Sequence, residues 1–568
     1  HLPPQIGRRH RLKIRVVLFL IALLSGAAFL LRDSRETDPG ATSSMPVSAS
    51  GDAEARTAFI VTDEIVTADV KRIGVNLGSW TSWGAEAFCS NVIKNPGLEG
   101  VIDRALVIVK QAAGDRFSDD FSWLGRPDDF WVGAKFDVRT GSAAGQTGTI
   151  ISSRKAGSSG LPEYTSAETV RGLAPGDVVS LTRQVDNELP TQWWIPEESK
   201  GLITVAMQSR PDSPGVRSVS LNPTSGRSAE LISYLDAIPD RAGKLLPVSG
   251  KWRLSFWSCG PDGHGSLAVE FVRKGSAPFV SSTIKSKRKW KKTTIEFSSS
   301  DAGPAAILEL RFKASGGARV LLDDVELGPV QAEPQAFRDE VVHALEAIHP
   351  GYLRDWQGQL GETLENLLAP AFARRTSRYR PGDETDFRYS LPEFLDLCKR
   401  VNANPWIVMP TTMSDDEALG LGRYLSRRLA DDRFEEILVE FGNENWNGTF
   451  RPAGIADPHA CGEAAERAFS KLREGAGSSA KLLTVINGQH ANPDYALDFL
   501  RQTPSADMLA VAPYFAFKLD GGAAAEAFPA LFAGDGKASR RIAGSQTRGQ
   551  RGRDIRSEPS HDRRKRDG

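Results

Sequence analysis

Ile437-Leu438-Val439-Glu440-Phe441-Gly442-Asn443-Glu444-Asn445-Trp446 is the stretch whose reading decides the fold. A largely apolar, partly β-branched run stops abruptly at Gly, Asn, Glu, Asn and Trp. A parallel strand buried on both faces reads this way when its carboxyl end delivers polar groups to a barrel mouth. Those polar groups suit proton transfer to a sugar oxygen. Glu444 can give or take the proton, Asn443 can bind a hydroxyl, and Trp446 can stack on a sugar ring. An Asn-rich turn that merely caps the next helix is the plainer reading of the same residues.

Working outward, the segment from Arg72 to Leu77 alternates Ile73, Val75 and Leu77 with Gly74 and Asn76, and runs into Trp80. It reads as a first parallel strand with Asn76 and Trp80 at or beyond its carboxyl end, where such sheets carry their sites. The α/β texture resumes near Gln335, where Phe337, Val341, Val342, Leu345 and Ile348 recur at helical spacing. Strands are expected at Tyr352–Trp356, Trp406–Pro410, Leu482–Asn487 and Met508–Tyr514. Helices between them include one starting at Ser414 with Asp415, Asp416 and Glu417 in its first turn. Alternating strands and helices imply parallel βαβ units. By this count the Glu444 strand is the fourth. Arg354 ends the second, His490 follows the fifth and Tyr514 the sixth, so all three are candidates to face a substrate.

Gly442-Asn443-Glu444-Asn445-Trp446, placed after a fourth strand, resembles the acid/base strand of the clan A retaining glycoside hydrolases. The α-L-arabinofuranosidase and endoglucanase branches are the most similar, over residues 70–90 and 335–520. The resemblance implies an α/β fold, a (β/α)8 TIM-type barrel, with Glu444 as catalytic acid/base and Arg354 orienting the catalytic carboxylate. It also implies a nucleophilic carboxylate at the end of a seventh strand, about 5–5.5 Å from the acid/base. That carboxylate does not show in the sequence. Glu526 reads as the surface of a sixth helix, and from Lys537 eleven Lys or Arg face four acidic residues with no strand period. The barrel is therefore expected over 331–536 with strands two to six, incomplete at the C-terminus. Residues 537–568 read as a disordered basic tail, either the product of an altered reading frame near 534–537, the favoured reading, or a native basic tail on a pseudo-enzyme.

From 95 to 330 helical periodicity gives way to short alternating runs, such as Leu267-Ala268-Val269-Glu270-Phe271-Val272. The stretch opens on Asn95-Pro96-Gly97-Leu98-Glu99-Gly100 and closes on Leu322-Asp323-Asp324-Val325. Both ends resemble jelly-roll carbohydrate-binding modules, so one all-β jelly-roll sandwich is expected, inserted after the first barrel strand (59–94). Seven of the twelve tryptophans lie here. Trp252, Trp257 and Trp290 read as core filling, whereas adjacent Trp193 and Trp194 point opposite ways in extended chain, leaving one to face solvent.

Arg8, Arg9, Arg11, Lys13 and Arg15 precede an apolar run from Val16 to Leu31, so residues 1–32 read as a signal peptide or signal anchor. Residues 33–58 read as a disordered linker. The domains are then expected outside the cytoplasm: secreted, periplasmic or held to a membrane through 16–31. Lys plus Arg equals Asp plus Glu, 71 each, which gives no sign of a nucleic-acid partner. Four scattered cysteines suggest neither a metal site nor a disulfide framework, and Cys398 reads as a core thiol. The sequence thus points to an exported glycoside hydrolase acting on plant or microbial polysaccharide or oligosaccharide, by a two-carboxylate mechanism needing no cofactor or metal. A non-catalytic carbohydrate-binding protein is the alternative.

Overall fold

A computed structural model describes residues 71–512, apart from 72, 79–86, 122–125, 158–159, 238–243, 264, 357–361, 381–382, 386–387, 452 and 478–480. The basic and apolar amino-terminal segment, the linker, Trp80, Tyr514, Glu526 and the basic tail lie outside the described residues. Among those described, no helix is long and apolar enough to cross a membrane.

Six strands form one all-parallel sheet in the spatial order Gly74–Leu77, Tyr352–Asp355, Asn404–Met409, Ile437–Phe441, Leu482–Gly488 and Met508–Val511. Space and sequence run in the same order, so every connection crosses over through the helical layer. The Glu444 strand is the fourth in the sheet. Ile437, Val439 and Phe441 turn to the helices, sharing a core with Leu353, Leu425, Phe469 and Phe499. Leu438 and Glu440 alternate to the opposite face. Among the described residues the sheet is open, with no pairing between its first and sixth strands. The described strands form a parallel half-barrel.

Helix ends follow from local chemistry. Asp415–Asp432 starts in a capping box, the Ser414 hydroxyl accepting from the Glu417 amide at 3.3 Å and Glu417 accepting from the Ser414 amide at 2.8 Å. Glu417 also takes Arg104 at 2.5 Å, which ties this helix to the β region.

The single sandwich expected over 95–330 is corrected: the region holds two β units with separate cores. Strands Val101–Ala113, Arg116–Asp119, Glu163–Ser166, Thr147–Arg154, Lys135–Val138 and Val178–Val185 pair in that cyclic order, all antiparallel, closing a small six-stranded barrel. Its core is Phe117, Trp131, Phe136, Ile150, Tyr164 and Leu181. The sandwich has a four-stranded sheet (Ala229–Leu235, Leu308–Ser315, Ser266–Arg273, Val280–Lys285) over a five-stranded one (Lys291–Ser299, Gly250–Cys259, Val320–Pro329, Ser218–Leu221, Ile203–Ala206). Val92, Ile93 and Leu98 belong to the sandwich core. The chain therefore starts the sandwich, leaves to build the barrel, and returns to finish. Alternation cannot reveal this nesting, because both units are antiparallel and no helix separates them.

The opening and closing motifs of the region meet in space, the Val325 amide donating to Pro96 O at 2.8 Å. Trp252 is buried as core filling, whereas Trp257 and Trp290, expected in the core, are only half-buried; Trp193 and Trp194 diverge, at 7% and 50% exposure. All four cysteines are buried thiols.

The meeting of the two motifs buries carboxyls. Burial pushes Glu99 up to about 7, against the opposing pull of the Val216 amide and Arg217. Burial and the neighbouring Asp324 charge raise Asp323 as well. Glu362, fully enclosed beside Arg104, is pushed up to about 8, mainly by burial. A carboxyl whose folded pKa lies above its unfolded value favours folding while protonated. Its contribution is full below about 4 and is lost as pH rises through 7–8. The melting temperature is therefore expected to fall between about pH 5 and pH 8 and to level off above, and Glu362→Gln to flatten part of that fall. A melting temperature that climbs over this range in thermal scans would contradict these assignments.

Candidate active site

The sheet register builds the site. Asn76, Arg354 and Trp406 are lateral partners on the first three strands. Partners in a parallel ladder point to the same face, so all three turn away from the helical core, as does Glu440 on the fourth strand. Their side chains close into one network. A single oxygen, Glu440 Oε2, accepts from Arg354 Nε at 2.9 Å and from the Trp406 indole N–H at 2.8 Å, and lies 2.8 Å from Arg354 Nη2. The Glu440 side chain is 3% exposed and that of Arg354 18%.

Arg354 then sets two amides. Its Nη1 donates to Asn76 Oδ1 at 3.1 Å and its Nη2 to Asn443 Oδ1 at 2.8 Å. A guanidinium only donates, so both amides must present oxygen to it and keep their NH2 groups for other acceptors. Two hydrogen-bond donors are thereby directed by one buried ion pair. Arg354 bonds to Glu440, Asn76 and Asn443, so its influence on Glu444 passes through the backbone neighbour Asn443.

Glu444 sits in a strained turn beyond the strand. Gly442 has φ +63° and Glu444 φ +44°, both left-handed. For a non-glycine residue that conformation costs roughly 1–2 kcal/mol, so surrounding contacts must hold it. They are present. The Gly442 amide donates to Met409 O at 2.9 Å, and Asn487 Nδ2 donates to Phe441 O and Gly442 O at 3.1 and 3.2 Å. Asn445 Nδ2 adds a bond to Phe441 O at 3.0 Å. A Cβ at position 442 would lie 2.4 Å from Asn445 Oδ1 and 2.6 Å from Thr411 Cγ2, so glycine is required there twice over. The Glu444 carboxylate accepts from Asn447 Nδ2 at 2.9 Å.

These groups surround a cavity of about 360 Å³ at the carboxyl ends of the strands, lined by Arg354, Glu440, Asn443, Glu444 and the rings of Trp356, Trp406 and Trp446. Asn76 and Asn487 also line it. Trp446 is held edge-on to Tyr495 at 5.6 Å, and Trp356 edge-on to Phe450 at 6.5 Å. The small barrel braces the loop that follows. Arg451 donates to Asp120 at 2.5 Å and Asp119 at 3.3 Å, and burial outweighs Arg451 in raising the Asp119 carboxyl.

The structure thus brings together Asn76, Arg354, Asn443, Glu444 and Trp446 from the sequence candidates. His490 lies two residues past the fifth strand and is half-buried, but is not among the described residues that line the cavity. Trp80 and Tyr514 fall outside the described residues. Glu440, Trp356 and Trp406 are site residues that sequence reasoning misses. Glu440 carries a readable signal, a carboxylate inside an otherwise apolar buried strand, since such a residue is rarely buried unless paired.

Neither a protein-family model nor a curated protein matches the sequence. Among solved structures, an arabinose-bound family 51 α-L-arabinofuranosidase is 13% identical, with a TM-score of 0.39 and 53% of each chain covered. The family 51 α-L-arabinofuranosidase of Thermotoga petrophila is 17% identical, with a TM-score of 0.30, covering 39% of this chain and 49% of that one. A family 61 carbohydrate-binding module bound to β-1,4-galactotriose is 17% identical, with a TM-score of 0.20, covering 25% of this chain and 90% of that one. The chain spans about half the length of these arabinofuranosidases. With these TM-scores below 0.5, the functional reading rests on the geometry of the site itself.

Proposed function

We propose that the cavity is a glycosidase site in which Glu444 exchanges a proton with the glycosidic oxygen, in a protein exported to act on polysaccharide or oligosaccharide. The observation that carries the reading is the union of a turn-held carboxylate, two amides oriented as donors by Arg354, and three indole walls in one cavity. Amides of this kind suit sugar hydroxyls, and indole faces suit sugar C–H groups. A retaining mechanism needs a second carboxylate. Glu440 is the other carboxylate of the described cavity wall, and it is engaged by Arg354 and Trp406. We therefore do not assign the nucleophile to Glu440.

A second reading, carbohydrate binding without turnover, has its own support. Trp194 is half exposed and stands edge-on to Tyr234 at 6.3 Å on the outer side of the four-stranded sheet. The deciding experiment assays the chain on aryl α-L-arabinofuranoside, β-xyloside and β-glucoside, with calorimetric titration of the parent sugars. Turnover that depends on Glu444 supports the first reading. Sugar binding without turnover, weakened about three- to tenfold by Trp194→Ala, supports the second. Neither turnover nor binding would sink both.

A further inference from the structure

We propose that the crossover between the two sheets of the sandwich, at 285–292, binds an acidic polysaccharide. Within eight residues it carries Lys285, Lys287, Arg288, Lys289, Lys291 and Lys292, with Trp290 among them, and no Asp or Glu occurs from Phe271 to Ile295. All six cations are exposed, and Trp290 is half-buried. Whole-chain neutrality conceals this local excess.

Three features separate the segment from an ordinary solvated run. First, its backbone is held in place. The Ser286 amide donates to Gly265 O at 2.8 Å, Lys287 O accepts from the Gly260 amide at 2.7 Å, and Arg288 O accepts from the Cys259 thiol at 3.1 Å. The backbone that carries the charges is therefore fixed, and binding would order little new backbone. Second, they are left unneutralised. Among the described residues the one ion pair formed by the six is Lys292 with Glu326, at 3.9 Å. Arginines elsewhere, such as Arg183, Arg273 and Arg378, lie in close bidentate or multiple pairs. Crowded like charges repel and lower stability. Third, edge protection explains only part of the cluster. Lysines on edge strands discourage sheet-to-sheet aggregation, and Lys285, Lys291 and Lys292 sit on such strands. Lys287, Arg288 and Lys289 lie outside any strand.

A cationic array on a fixed backbone fits a polyanion. Its extent is one short crossover bordered by Glu296 and Glu326, too brief to track a nucleic-acid duplex. It also exposes no aliphatic residue for insertion into a lipid surface, and its indole is half withdrawn. An indole set among cations suits a chain of sugar rings bearing carboxylates, the ring face meeting C–H groups while lysines meet the acid. Choosing a polysaccharide among polyanions rests on the carbohydrate reading of the cavity.

The test is affinity electrophoresis of the full chain in gels containing polygalacturonate, with neutral arabinan as the control polymer. Polygalacturonate is expected to retard the chain at 50 mM salt, with affinity falling about a hundredfold by 200 mM as counterion release is lost. Arabinan is expected to show no such salt dependence. The triple variant Lys287→Glu/Arg288→Glu/Lys289→Glu keeps edge charges and should melt normally yet lose the retardation. Trp290→Ala should weaken it about three- to tenfold. No retardation of the unaltered chain, or equal retardation of the triple variant, would overturn the proposal. So would equal or tighter binding to phosphatidylserine vesicles or single-stranded DNA. None of these measurements needs turnover, so a failed glycosidase assay and a failed polyanion assay are distinguishable.

Discussion

Glu444→Gln is expected to lower turnover of an unactivated aryl glycoside by about 10²–10⁴-fold, the usual worth of a positioned acid/base, with sugar affinity little changed. The amide fills the same volume and can still accept from Asn447 Nδ2, so the strained turn at 442–444 keeps its supports. What disappears is the transferable proton. The loss should shrink for a substrate whose leaving group is a weakly basic phenolate, because such a group departs without protonation. One limb of the pH–rate profile should vanish with it. Equal losses for good and poor leaving groups would remove Glu444 from proton transfer, and unchanged turnover would remove it from the mechanism.

Glu440→Ala should cost about 3–5 kcal/mol of folding stability, measurable by urea or thermal unfolding of the full chain. It strands the Arg354 charge in a site where the guanidinium is mostly enclosed, and it leaves the Trp406 N–H without its acceptor. A functional loss should come with it, because Arg354 freed from Glu440 no longer fixes the amides of Asn76 and Asn443. Arg354→Met combined with Glu440→Leu separates the two effects. An apolar pair of similar volume should recover much of the stability, since a buried ion pair is often no better than packed hydrocarbon. Sugar affinity should not recover, because two directed donors are gone. Restoration of affinity by the double variant would show that the network is structural only.

Much of the parallel sheet is legible in the order of the amino acids. The apolar strands and helical stripes between Gln335 and Val511 are strong periodic signals, and counting them places Glu444 just after the fourth strand, where the structure has it. The Ser414 cap is equally local: a serine with a glutamate three residues on satisfies two end amides by itself. The β region is not legible in the same way. Alternation tells which residues of a strand face a core, but not which core, and here two antiparallel units share one stretch of sequence.

The site divides along the same line. Sequence alone determined the residues that end strands: Asn76, Arg354, Asn443, Glu444 and Trp446 each follow or finish an apolar run, and position in a strand is a short-range property. Only the tertiary structure decided what those residues touch. Glu440, Trp406 and Arg354 meet because three separate strands take one register and present one face, and contacts between residues 354, 406 and 440 have no local signature. The bracing of the Glu444 loop by Asp119 and Asp120 of a nested barrel is more distant still. Hydrophobic period is written into neighbouring residues. Hydrogen-bond partnership across a sheet is settled only when the strands dock.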